Sequence, residues 1–413
     1  MNFRRHYRTI APCRQLLGLK IIIQRLQFAW PHFALMPSAK VGCRARDMLA
    51  LKSPMTTVLR EGKALMGAVI VTIMTSYAGC ASAVNPGKLP LSNEAREILH
   101  RIDVHAAQKN TSAIVVSIDG NIVSESYLDG PDRAIDVMSI TKSVVSLVIG
   151  TLAEGNNKNI SIDDSLSKIF AEFKSNDKDK VSLRHILDHS SCLSWNSVKE
   201  VYAQENFIDF ALKSELICDP GQEFFYNNKI SNLLTGVIEG VTNQSLRDYA
   251  QYSLFSPLGI ACEAWLTDPQ GHHQSMAGLH LHARDLVKIG ELVRLGGWYD
   301  NKAVVPKKWI EALATPSSIN EDHSLMWWLG FPLPMKAELE SVARQIIWAQ
   351  GAGGQLLLIS PCHGLTFVHL YEVHDGEDNE LLTERFLQLM RMTIELAHAL
   401  PPLSDPKIES VKM

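Results

Sequence analysis

The apolar and polar positions of this chain divide it into recognisable elements. The pattern predicts helices over 93–108, 283–295, 306–314 and 381–398. Val115-Val116-Ser117-Ile118 and Asn121–Tyr127 read as two strands, and the Asp119-Gly120 pair between them is a strong hairpin signal. Residues 139–265 read as mainly helical. Further strands are expected near 326–332, 343–349, 354–360 and 365–372. Strands at both ends with helices between them predict an α+β fold. Its antiparallel sheet is built from both terminal regions, with terminal helices covering one face and a mainly helical region beside it. The expected boundaries are 93–138 and 270–398 for the sheet region, 139–269 for the helical region, and 399–413 for a tail.

One polar interruption carries chemistry. Ser139 is followed three residues later by Lys142, at the head of the apolar run Ser143–Gly150. Residues three apart share a helix face, so the amine can sit beside the hydroxyl. Serine is a poor nucleophile until an adjacent base takes its proton. A lysine acts as that base only when neutral. Lowering its pKa from about 10.4 to near 7 costs roughly 4 to 5 kcal/mol, which burial or a nearby cation must supply. Ser165/Lys168, Ser175/Lys178 and Ser404/Lys407 share the spacing. They lie respectively in a polar helix start, a charged stretch and a Pro-rich tail, whereas Ser139 heads a helix that would be buried.

Other landmarks follow in order. Tyr226-Asn227-Asn228 comes after Asp219-Pro220-Gly221-Gln222-Glu223-Phe224-Phe225. Leu183–Leu193 contains Asp188-His189-Ser190-Ser191-Cys192, and Ala277–Leu286 and Gly351-Ala352-Gly353-Gly354-Gln355 come later. With Ser139 and Lys142 they resemble the serine hydrolase superfamily of class C β-lactamases and penicillin-binding proteins. Asp188-His189, Trp195 and the pair Trp327-Trp328 are closest to the branch of esterases and 6-aminohexanoate-dimer hydrolases. The resemblance implies a β-lactamase/transpeptidase-like fold. It makes Ser139 the nucleophile and Lys142 and Tyr226 the proton-transfer groups, with Asn228 donating to a substrate carbonyl. Gly353, Gly354 and Gln355 border the substrate, and the N–H groups of Ser139 and Gln355 hold the oxyanion. Two positions depart from the pattern. Cys192 stands where Gly is usual, so the turn must tolerate a side chain. Ala352 stands where relatives place Lys or His, which removes a cation for a substrate carboxylate. Tyr299-Asp300-Asn301, a second match to Y-x-N, sits in a Gly-rich turn and reads as a loop.

Charge separates the N-terminus from the body. Residues 1–80 hold 12 Lys+Arg against 2 Asp+Glu, and residues 81–413 hold 28 against 42. An acidic body argues against nucleic-acid binding. Arg60 and Lys63 precede the apolar run Ala64–Met74, which is short for a membrane span and has the shape of a signal peptide over 55–80. Its end, Ala78-Gly79-Cys80, resembles a lipobox. Lipidation of Cys80 would anchor an exported or periplasmic protein to a membrane, while an ordinary signal peptide or a core helix is the plainer reading. Residues 1–54 are expected to lie outside the fold, either as sequence upstream of the true start at Met55 or as a transit peptide.

Only Cys192, Cys218, Cys262 and Cys362 follow Cys80. They lack metal spacing and read as buried small residues, with a Cys192–Cys218 bridge open in an oxidising compartment. His272-His273 and His280/His282 lack H-E-x-x-H spacing, so no metal is expected. Trp327-Trp328 reads as core. The expected activity is hydrolysis of a small ester, amide or peptide-like substrate through an acyl-enzyme, with no cofactor. The alternatives are a β-lactamase or D-alanyl-D-alanine carboxypeptidase, and a non-catalytic envelope-binding lipoprotein that keeps the fold.

Overall fold

The structure is a computed structural model that describes residues 91–107, 111–153, 160–174, 177–372 and 379–403. Cys80 and the segments 1–54 and 55–80 lie outside the described residues. Helix α1 (Asn93–Ala107) leads into the hairpin β1 (Ala113–Ile118) and β2 (Asn121–Tyr127). Asp119 and Gly120 both take positive φ, 49° and 76°. That is the turn whose twist matches paired strands. After β3 (Ile135–Asp136), helix α2 (Ile140–Ala153) carries the apolar run through the interior. All of its residues except Thr151 are buried, as expected of a helix that is apolar all round.

Short helices follow: α3 (Leu183–Leu187), α4 (Val198–Tyr202), α5 (Phe207–Leu212), α6 (Asn228–Ser231), α7 (Leu233–Thr242) and α8 (Leu246–Ala250). Strands β4 (Ala264–Trp265) and β5 (Leu279–Leu281) join β3 in a small sheet of order β3-β5-β4. Helix α9 (Ala283–Arg294) precedes the hairpin β6 (Trp298–Tyr299) and β7 (Lys302–Ala303). Its turn holds Asp300 and Asn301, so the second Y-x-N match is a loop. Next come α10 (Lys307–Leu313), β8 (His323–Ser324), β9 (Trp327–Leu329) and α11 (Glu340–Ala343). Strands β10 (Ile347–Gly351), β11 (Gln355–Ser360) and β12 (Leu365–Leu370) then lead to helix α12 (Asn379–His398).

The main sheet is antiparallel with order β2-β1-β12-β11-β10-β9-β8. The first hairpin closes against the last strand, so the sheet is built from both terminal regions. Alternation divides its side chains between two faces. Val115, Leu357, Ile359 and Val368 enter the core shared with α2 and α9. His369, one residue on, borders a cavity with His105, Phe386 and Leu389 of the terminal helices. Gly290 of α9 allows the close approach, since a Cβ there would lie 2.4 Å from Thr366 Cγ2 of β12. Where the sequence predicted a strand from 343, helix α11 takes its first residue and the strand begins at Ile347.

Candidate active site

Ser139 ends the turn that opens α2. The preceding residue, Met138, is left-handed (φ 51°), and its N–H donates to Asp136 Oδ1 at 2.7 Å. The same carboxylate oxygen accepts the Gly278 N–H at 3.2 Å. Asp136 therefore ties the serine turn to the loop before β5. That loop supplies the Met276 carbonyl, which accepts a 2.6 Å hydrogen bond from Lys142 Nζ. The amine also lies 3.0 Å from Ser139 Oγ. Lys142 is 2% exposed, whereas Ser139 is half-buried and reachable. Burial alone pushes the amine down to about 7.

Tyr226 closes the triangle. Its ring centroid lies 5.1 Å from Lys142 Nζ, and its hydroxyl is hydrogen-bonded to Ser139. Burial pushes the phenol up to about 12, with the Ser139 bond acting in the opposite sense. Tyr226 is therefore a neutral donor and acceptor at physiological pH. Asn227 is the N-cap of α6, and its Nδ2 donates to Leu193 O at 3.0 Å. Asn228, the first residue of that helix, is half-buried and makes no side-chain hydrogen bond among the described residues.

The glycine-rich segment divides. Gly351 abuts the serine turn, where a Cβ would lie 2.4 Å from Val137 O and 2.8 Å from Met138 Cβ. Gly353 and Gly354 turn the other way and line the cavity against the terminal helices, with His369 Nδ1 2.7 Å from Gly354 O. The Gln355 side chain is fully buried. Its Oε1 accepts the Tyr371 N–H at 3.0 Å, and its Nε2 donates to the Tyr371 carbonyl.

Strand register fixes where these amides point. Gly330 N–H donates to Ile346 O across β9, and antiparallel residues alternate sides. Trp348, Gln350 and, through the extended Gly351 (φ −127°, ψ 158°), Ala352 N–H follow toward the β9 side. Gly351 and its partner Gln355 face each other. The Gln355 amide is thus directed into the sheet, and Ala352's toward the β9 side beyond the last pair of β9 with β10 at Trp348. Ser139 N–H makes no hydrogen bond among the described residues.

Aromatic groups wall the site. Trp328 stacks on Tyr226 (centroids 6.2 Å, 18°) and on Trp348 (5.6 Å, 25°). Trp327 is fully buried core, so only one of the two tryptophans expected in the core is wholly there. His189 and His323 are buried with ring centroids 5.4 Å apart. Burial pushes His323 down to about 3 and His189 well below the ordinary imidazole range. The sequence reading quoted His189 only as a landmark and missed Met276 and Asp136. The left-handed Met138 and the loop carbonyl have no sequence signal. Cys192 is left-handed at φ 55°, as expected where Gly is usual, and is bridged to Cys218.

Comparison with known proteins bears on the family and the fold. The beta-lactamase family pattern matches residues 102–389. The protein flp of Staphylococcus aureus (strain NCTC 8325 / PS 47) is 26% identical over 190 residues, covering 41% of this chain and 38% of that protein. A 6-aminohexanoate-dimer hydrolase of Paenarthrobacter ureafaciens is 23% identical over 229 residues, covering 50% and 58%. The matches thus span less than two thirds of either relative. Among solved structures, a Bacillus anthracis protein assigned as a 6-aminohexanoate-dimer hydrolase superposes with TM-score 0.61 at 22% identity, covering 72% of this chain and 81% of that one. A penicillin-binding protein homolog from Caulobacter crescentus gives 0.57 at 14%, covering 74% and 98%. With its family pattern matched from the first helix to the last, this chain belongs to the beta-lactamase family.

Proposed function

We propose that this protein is a serine hydrolase that cleaves an ester or amide through an acyl-enzyme. The observation that carries the reading is the buried amine of Lys142, 3.0 Å from Ser139 Oγ and pushed down to about 7. As a neutral amine it donates to the Met276 carbonyl and turns its lone pair to the Ser139 hydroxyl. Ser139 Oγ attacks the substrate carbonyl while its proton passes to Lys142. Tyr226, hydrogen-bonded to Ser139 and too weak an acid to ionise, relays that proton to the leaving group. Water then attacks the acyl-enzyme by the reverse relay. The oxyanion needs two N–H groups. Ser139 supplies one. The register favours Ala352 for the other, in place of the Gln355 amide expected from the resemblance.

No cation stands along Ala349-Gln350-Gly351-Ala352, and Trp328 lies against Tyr226. A neutral substrate with an apolar group suits these walls, because a carboxylate desolvated there would be poorly compensated. The test is reaction with a fluorophosphonate, and turnover on a panel of esters, amides and β-lactams. Ser139→Ala should abolish labelling and lower kcat at least ~1,000-fold. An adduct at another serine, or full turnover by Ser139→Ala, overturns the reading.

A further inference from the structure

His189 touches Tyr226 in more ways than a packing residue needs. Its carbonyl accepts the Phe225 N–H at 2.7 Å. Its Nδ1 accepts the Asn227 N–H at 3.3 Å. Its ring lies against the phenol ring, with centroids 4.5 Å apart at 43°. The residues on both sides of Tyr226 are thus fastened to one residue. We propose that His189 is a positioning residue that aims the Tyr226 hydroxyl at Ser139, an inference that rests on the proton-relay reading above.

The clamp is itself anchored. His189 follows α3 in the left-handed region, at φ 51°. Its N–H donates to Ile186 O at 3.2 Å, and the next N–H, that of Ser190, to His185 O at 2.8 Å. Asp188 Oδ1 accepts the Leu325 N–H at 2.9 Å, joining the same turn to the segment that enters β9. One turn therefore fixes both Tyr226 and the strand carrying Trp328, which stacks on it.

Two features favour a functional role over a structural one. Accepting at Nδ1 places the ring proton on Nε2, and Nε2 has no hydrogen-bond partner. A buried unpaired donor is destabilising, a cost that a ring kept only for packing would shed. In addition, an Nδ1 acceptor requires a neutral ring. Burial, with His323 and Lys142 facing the imidazole, keeps it neutral.

The test separates ring from acceptor. His189→Phe keeps a ring against Tyr226 and removes the acceptor, whereas His189→Asn offers an oxygen near the Nδ1 position and removes the ring. Single-turnover acylation of a neutral chromogenic ester should slow at least ~10-fold in His189→Phe, with Tm within a few degrees of wild type. His189→Asn should stay within about threefold of wild type. In the Tyr226→Phe background, His189→Phe should cost less than about twofold, because residues acting through one group are not additive. Unchanged acylation in His189→Phe, an equal loss in both variants, or a full ~10-fold loss that persists without the Tyr226 hydroxyl overturns the proposal. Should His189→Phe fail to fold, His189→Leu, which also lacks the acceptor, takes its place with the same expected and overturning results. Ser139 labelling in wild type keeps the two readings apart. If Ser139 is labelled and Tyr226→Phe is slow while His189→Phe is unchanged, only the clamp fails.

Discussion

Lys142 shows at single-residue scale how the site sets stability against activity. The unfolded amine keeps its proton up to about pH 10.4, and the folded one releases it above about 7. Between those values the unfolded chain binds more protons, so stability rises with pH across that window. At pH 7 the buried amine costs about 4 kcal/mol. Lys142→Met removes that cost but strands the Met276 carbonyl, which costs about 1–3 kcal/mol. The variant is expected to be ~1–3 kcal/mol more stable in urea denaturation at pH 7 while losing at least ~1,000-fold in acylation. A less stable variant would show that the amine is not charged at a cost. Activity should follow the neutral amine: kcat/KM rises through a limb near pH 7 and stays level to high pH, since Tyr226 ionises only near 12. Asp188, pushed up to about 6 by burial, is another group near that limb. Asp188→Asn should leave the limb in place. Its movement or disappearance would give the limb to Asp188.

At the scale of elements, the strand edge and the stapled turn do the positioning. The sequence made the hairpin legible through Asp119-Gly120, and α2 through its unbroken apolar run. It made Ser139, Lys142 and Tyr226 legible because each sits at a fixed offset from a pattern. It could not show which glycine meets the turn before Ser139, since that depends on the register of β10 against β9 and β11. Gly351 is the glycine in contact. Its φ of −127° suits any residue, so Gly351→Ala should act through the clash with Val137 O and Met138 Cβ alone. The expected result is a cost of ~1–3 kcal/mol and a loss of acylation of at least ~10-fold. Normal acylation would detach this strand end from the serine turn. The bridge was open in the sequence because spacing does not encode pairing. In the fold, Ser194 N–H to Glu215 O and Ile217 N–H to Cys192 O bring the two segments together, and Asn227 Nδ2 reaches Leu193 O between them. The cysteines are 26 residues apart, and closing such a loop is worth ~3.5 kcal/mol in the chain-entropy account. Reductant should lower the Tm of wild type and leave that of Cys192→Ser/Cys218→Ser unchanged. An equal Tm for the double variant and oxidised wild type would remove the staple from the stability account.

The whole molecule adds a long-range field to a site without a dedicated cation. Residues 81–413 carry 28 Lys+Arg against 42 Asp+Glu, and such a surplus repels anionic substrates before they reach the pocket. Lys229, next to Asn228, and Arg344, just before β10, are both engaged elsewhere. Lys229 is 2% exposed and donates to Asn196 Oδ1 at 2.7 Å. Arg344, with 80% of its side chain exposed, pairs with Glu340 at 3.3 Å. Local and global charge therefore act in the same direction, against a carboxylate. For a matched pair of esters, one neutral and one bearing a carboxylate, kcat/KM should favour the neutral member. Raising ionic strength from about 0.01 to 0.15 M shortens the screening length from ~30 to ~8 Å. That should raise kcat/KM for the anionic ester and leave the neutral one unchanged, since screening weakens a repulsion only for the charged partner. A carboxylate held by an unrecognised cation would behave oppositely. Its ester would be preferred at low salt, and salt would reduce that preference, which would reverse the assignment of a neutral substrate to this pocket.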